Sequence, residues 1–181
     1  MICRTATRAL LALAVTASLA ACGSDEEPTG TAAGSTGPVA CESRAATAEP
    51  PAGTATDLAE APEVQGSDAP PPCGLEIADV VVGSGAEAVD GSAVELKYAG
   101  AFYETGDEFD SSWSRGTDET LPVTLGEGRV IPGFEQAVYG MQEGGRRIVT
   151  IPSELGYGPA GQGPIPGDAT LVFVLDLVLV G

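Results

Sequence analysis

From residue 73 onward, apolar and polar residues fall into short runs with the periods of strands and of one helix; before it they show neither period. Val94, Leu96 and Tyr98 alternate with Glu95 and Lys97, which predicts a strand with one buried and one wet face. Residues 75–82, 121–125 and 147–151 read as further short strands between glycine-rich turns. In the last strand, Leu171, Phe173, Leu175, Leu177 and Leu179 mark one face, while Val172, Val174, Val178 and Val180 mark the other. That strand must be covered on most of both sides. Its apolar run is about 10 residues, β-branched and interrupted by Asp176, so it is too short and too strand-like to be a spanning helix. Phe134, Ala137, Val138 and Met141 recur at helical spacing behind Pro132, which suits a first helical turn. One short helix is therefore expected from Pro132 to Gly140 or Gly144. Together these elements predict an α+β domain: a four- to five-stranded antiparallel sheet and one short helix over residues 73–181.

Residues 22–72 are Ala, Gly, Pro, Thr, Ser and acid, ending in Pro70-Pro71-Pro72. The first 72 residues contain no Phe, Tyr or Trp, so this stretch lacks the side chains for a core and is expected to be a disordered acidic tether. The formal net charge of -18 repels phosphate backbones and argues against nucleic acid as a partner. The chain has no histidine, which removes the commonest general base, the commonest metal ligand and every Ser-His or Cys-His nucleophile.

Residues 1–21 have the parts of a secretory signal: Arg4 and Arg8, an apolar stretch from Ala9, and small residues at the end. The apolar stretch is shorter than the roughly 20 residues that cross a bilayer. Leu19-Ala20-Ala21-Cys22 resembles the bacterial lipobox, in which the cysteine is lipidated and becomes the first mature residue. An ordinary signal peptide is the alternative. The lipobox reading places the protein outside the cytoplasm, anchored to the cell membrane through Cys22. Cys41 and Cys73 would then remain in a compartment where disulfides persist, either bridged or as two free thiols.

Six pieces of the C-terminal part stand in a familiar order: Tyr98-Ala99-Gly100, Phe109-Asp110-Ser111-Ser112, Val130-Ile131-Pro132-Gly133-Phe134-Glu135, Gly156-Tyr157-Gly158, Ile165-Pro166 and Ala169-Thr170-Leu171-Val172-Phe173. In order and near-family spacing they resemble the FKBP-type peptidyl-prolyl cis/trans isomerases, over essentially the whole of residues 73–181. The resemblance implies a sheet curled around the helix, with an apolar pocket between them for a substrate proline. It implies catalytic roles for Tyr98, Phe109, Asp110, Ile131 and Tyr157, and substrate contacts from Val130, Phe134, Ile165, Phe173, Leu121 and Arg115. Read from residue type alone, the wall residues are as well explained as core, and Asp110 as a turn acid or cap. In the family the acid bonds the tyrosine equivalent to Tyr98, with an arginine nearby that Arg115 supplies. The resemblance also implies proline-containing polypeptides as substrates, macrolides of the tacrolimus type as occupants, a monomer, and no cofactor. The chain departs from the family at four places: Phe134 stands for Trp, Leu121 for Phe, Arg129 for Glu and Gln162 for His. These departures predict a shallower pocket with one aromatic fewer, and they leave a non-catalytic binding module or chaperone of the same fold as the alternative.

Overall fold

The computed structural model describes Cys41, Glu42 and residues 47–181; Cys22 and the signal-like segment lie outside these residues. Six strands, β1 (Glu76–Val81), β2 (Ala93–Phe102), β3 (Glu108–Ser111), β4 (Leu121–Thr124), β5 (Arg146–Ile151) and β6 (Leu171–Val180), form an antiparallel sheet. The order is β1-β5-β6-β2-β3, and β4 pairs with β2 as well. Residues 99–101 of β2 pair with β3 and residues 93–96 with β4, so the two short strands share one long neighbour. The strand beyond the expected five is β3, whose four residues are too few to establish an alternation.

The helix α1 (Pro132–Val138) starts where expected but ends earlier, ahead of Gly140, whose φ of +74° turns the chain away. Its last carbonyls do not go unpaired: Arg147 donates from Nη1 to Ala137 O at 2.7 Å and Tyr139 O at 3.1 Å. Phe134, Ala137 and Val138 face the sheet and are buried against Leu96, Val149, Ile151, Leu175 and Leu177. Burying each such large side chain contributes about 1.5–3 kcal/mol. Gly133 sets the closeness of this packing, because a Cβ there would run into the side chain of Ile151.

The alternation that aims Leu171, Phe173 and Leu175 at α1 aims Val172, Val174 and Asp176 at the opposite face, and every residue from 171 to 177 is buried. Beyond Leu177 a register shift between Glu95 and Leu96 of β2 disturbs the pairing, and Val178 and Leu179 are exposed. The cover on the opposite face comes from the stretch expected to be a free tether, which corrects the boundary at residue 73. Residues 47–72 form a strap along the sheet. Thr47 bridges Ile77, Ser67 N donates to Tyr103 O at 2.9 Å, and the buried Tyr103 donates its hydroxyl to Pro70 O. Pro62, Pro71 and Pro72 are buried. Flanking it, Cys41 and Cys73 are joined by a disulfide, Glu42 N donates to Pro71 O at 2.7 Å, and Cys73 N donates to Glu42 O at 2.9 Å. Low apolar content does not prevent this ordering, since the strap borrows the sheet's apolar face and supplies backbone polar groups in return.

Arg146 shows what that supply does. On β5, Arg147 points toward α1, so Arg146 points to the other face, where it is fully buried. Its guanidinium donates to both oxygens of the buried Asp176, at 2.5 and 2.7 Å. Two further N–H groups reach the strap, one on Nη1 to Ala55 O at 2.8 Å and one on Nη2 to Glu60 O at 3.0 Å. A buried arginine needs all of these acceptors, and residues 73–181 alone do not provide them.

Candidate functional site

Between α1, β2, β3, β6 and the loop after β5 lies a cavity of about 490 Å³. Its aromatic lining follows from strand alternation. Tyr98 and Phe173 project from the α1 side of β2 and β6, Phe109 from β3, and Phe134 from the first turn of α1. Edge-to-face packing fixes them: Phe134 meets Phe173 at 5.4 Å and 86°, Phe109 meets Phe173 at 5.6 Å and 84°, and Tyr98 meets Phe134 at 6.0 Å and 86°. Gly100 leaves the space they use, since a Cβ there would stand 2.6 Å from Phe173 and 2.9 Å from Phe109.

Three polar side chains close one end in a triangle. The Tyr98 hydroxyl donates to Asp110 Oδ2 at 2.6 Å; Arg115 donates to Asp110 Oδ1 at 2.8 Å and to the Tyr98 hydroxyl at 2.9 Å. Burial alone would raise the Asp110 carboxyl, but the hydrogen bonds from Tyr98 and Arg115 and the arginine's charge outweigh it and hold it below its ordinary value. Burial raises the Tyr98 hydroxyl, and its bond to ionised Asp110 raises it further. Burial likewise raises Tyr157, with the Asp110 charge adding to it. At neutral pH the site therefore holds one carboxylate and two protonated phenols, with none of the three near a titration point.

Two donors line the cavity outside this triangle. Ile131 is the residue before α1, with φ -60° and ψ 147°; its carbonyl accepts from Phe134 and Glu135, while its own N–H has no acceptor among the described residues. The hydroxyl of the half-buried Tyr157 also has no partner among them.

The structure thus brings together Tyr98, Phe109, Asp110, Leu121, Val130, Ile131, Phe134, Tyr157 and Phe173 around one cavity. Arg115 stands behind Asp110 and holds it without lining the cavity. Ile165 does not line it either: it is 7% exposed and packs into the core, its backbone tied to Gln162 in a tight turn. Three lining residues, Gly156, Arg129 and Gln162, were not among the expected site residues. The last two were visible only as departures from the family, because an exposed charged or amide side chain in a loop carries no period. A larger hollow of about 660 Å³ lies between the strap and the sheet, but its floor of Ile148, Thr150, Val172 and Tyr103 has no ring cluster and none of the expected site residues.

The family model described as FKBP-type peptidyl-prolyl cis-trans isomerase matches residues 85–178. The FK506-binding protein of Streptomyces anulatus is 47% identical over 123 residues, covering 67% of this chain and 98% of the relative. That match is longer than the stretch from Cys73 to the C-terminus, and its share of the chain means that it begins no later than Ala61, inside the strap. The FK506-binding protein of Neisseria meningitidis serogroup B is 47% identical over 108 residues, 59% of this chain and 96% of the relative. Among solved structures, the crystal structure of AtFKBP13 superposes with a TM-score of 0.55 at 36% identity, covering 61% of this chain and 95% of that one.

Proposed function

The chain belongs to the FKBP-type peptidyl-prolyl cis-trans isomerase family, and on that premise we propose that it isomerises Xaa-Pro bonds of proteins outside the cytoplasm, assisting their folding. The barrier is the partial double bond of the amide, about 18–20 kcal/mol, and no bond has to break. A planar amide is more polar than a twisted one. Moving it from water into the aromatic cavity therefore penalises the ground state more than the transition state. Phe109, Phe134, Phe173 and Tyr98 grip the pyrrolidine ring, while the Ile131 N–H and the Tyr157 hydroxyl hold carbonyls beside it. The observation that carries this reading is the pairing of a ring-lined cavity with these two partnerless donors. Asp110, ionised and bonded to Tyr98 and Arg115, orients the wall and transfers no proton.

An isomerisation assay on Xaa-Pro tetrapeptides should show turnover that a tacrolimus-type macrolide suppresses. Macrolide binding without turnover would leave a binding module for proline-containing segments and overturn the catalytic reading.

The location rests on two observations: the lipobox-like Leu19-Ala20-Ala21-Cys22, and the Cys41–Cys73 disulfide, a bond that persists in oxidising compartments. Cys22 is the proposed point of lipid attachment, where the two chains of a diacylglycerol already meet what stable anchoring takes and a further acyl chain adds a third. Replacing Cys22 by Ala should move the protein from the membrane pellet to the soluble fraction while its isomerase activity per molecule stays the same. A Cys22→Ala protein that still sediments with membranes would refute the anchor.

A further inference from the structure

We infer that residues 62–67 of the strap are a positioning element for the Phe109–Asp110 wall of the cavity; the catalytic consequence rests on the isomerase reading. The need for one comes from β3 itself. The strand has four residues, and its pairing skips a residue: Asp110 stands opposite Gly100 and Glu108 opposite Ala101, which leaves Phe109 as the unpaired residue of a bulge. In the sheet order β3 is the terminal strand beside β2. A bulged residue on a short edge strand is held weakly by its own ladder, so the direction of Phe109 depends on the turn that precedes it.

The strap sits on that turn. The turn is closed by Gly106 N to Phe102 O at 2.8 Å and by Phe102 N to Asp107 O at 3.1 Å. Gly66 and Gly106 meet with no room for a side chain on either. A Cβ on Gly66 would stand 2.6 Å from the carbonyl carbon of Thr105, and one on Gly106 would stand 2.7 Å from Gly66 N and from Val64 O. Gly106 also has a φ of +75°, whereas Gly66 has no positive φ, so only the turn's proximity excludes a side chain there. On either side of this contact the strap is fixed. Ser67 N donates to Tyr103 O at 2.9 Å, and Pro62 is buried beside a hollow of about 240 Å³ that it lines together with Ala99, Ala101 and Glu108, the last of these the residue before Phe109. The Tyr98, Asp110 and Arg115 triangle then transmits the placement of β3 to the cavity wall. The Streptomyces anulatus match independently includes this part of the strap, although the family model begins only at residue 85.

The test compares Gly66→Ala with Gly74→Ala in the full chain; a Cβ on Gly74 meets nothing within 4 Å. Displacing the turn should lower kcat/KM on Xaa-Pro tetrapeptides about ten-fold in Gly66→Ala, within the roughly 10²-fold that a 1 Å misplacement can cost. Gly74→Ala should match the wild type. In a ¹⁵N,¹³C-labelled sample, the resonances of Phe109 and Asp110 should shift in Gly66→Ala while those of Val130 and Ile131, on the wall ahead of α1, stay in place. A folded Gly66→Ala protein with Phe109 and Asp110 unmoved would overturn the proposal, as would shifts spread evenly over both walls, the signature of a merely structural role. A wild type without turnover would sink the isomerase reading alone, and the resonance comparison would still decide the positioning role.

Discussion

Asp176→Ala is expected to destabilise the domain by about 3–5 kcal/mol, because it strips a buried guanidinium of its counter-charge without giving it water. Arg146 is fully buried and Asp176 is 2% exposed, and two of the arginine's hydrogen bonds end on this carboxylate. The loss comes from isolating a charge, not from forfeiting a strong attraction, since desolvating two ions offsets most of their mutual gain. The double variant Arg146→Met, Asp176→Leu should therefore recover most of what Asp176→Ala loses. A chain starting at Cys73 should also fall short, for a different reason: without the strap the sheet face of Tyr103, Ile148 and Val172 is open to water, and Arg146 exchanges the carbonyls of Ala55 and Glu60 for solvent. Urea unfolding of the four proteins measures all of this. An Asp176→Ala protein within 1 kcal/mol of the wild type would mean that water already reaches the pair.

The strap was hidden in the sequence, yet the need for it was not. The alternating Leu and Val residues of β6 require cover on both faces, and α1 covers one of them. No other apolar element in residues 73–181 remained to cover the second face, which pointed to the Pro- and Gly-rich stretch before Cys73. Composition misled because it measures whether a segment can build a core of its own. A strap needs only to lie on one, with prolines that cost little entropy to fix and carbonyls that an arginine can use. Arg146 gave a second sign: in a run that alternates as a strand, two adjacent arginines cannot both face water if the strand is central. The site was more legible. Tyr98, Phe134 and Phe173 converge on the cavity because alternation or helical spacing fixes the side each occupies, whereas Phe109, at a bulge, and Ile131 and Tyr157, outside the strands and helices, were legible through the family's motifs alone. Ile165 escaped this logic because it sits in a loop, where no period governs direction and a tight turn folds the side chain inward.

In the cavity, Phe109→Ala should lower kcat/KM by about ten-fold or more, as truncating a ring that grips the substrate removes on the order of 1–3 kcal/mol of differential binding. Phe109 touches Phe173 on one side and Phe102 on the other, so its loss also loosens the ring cluster. Tyr157→Phe should cost less, about three- to ten-fold, because it removes one hydrogen bond and keeps the wall. Asp110→Asn should be milder than Phe109→Ala, since an amide preserves the shape and one acceptor for the Tyr98 hydroxyl. The pH dependence follows from the directions of the shifts. Asp110 is held below its ordinary value, so it stays ionised as pH falls until the acid side of the usual carboxylate range, and only there does its pairing with Arg115 and Tyr98 fail. Tyr98 and Tyr157 are both raised, so they stay protonated as pH rises past neutrality into the alkaline range. No group in the site changes charge between these limits, and kcat/KM should be nearly flat from about pH 6 to 8. A bell-shaped profile centred near neutrality, or an Asp110→Asn protein less active than Phe109→Ala, would replace desolvation of the amide with proton transfer by Asp110 as the source of catalysis.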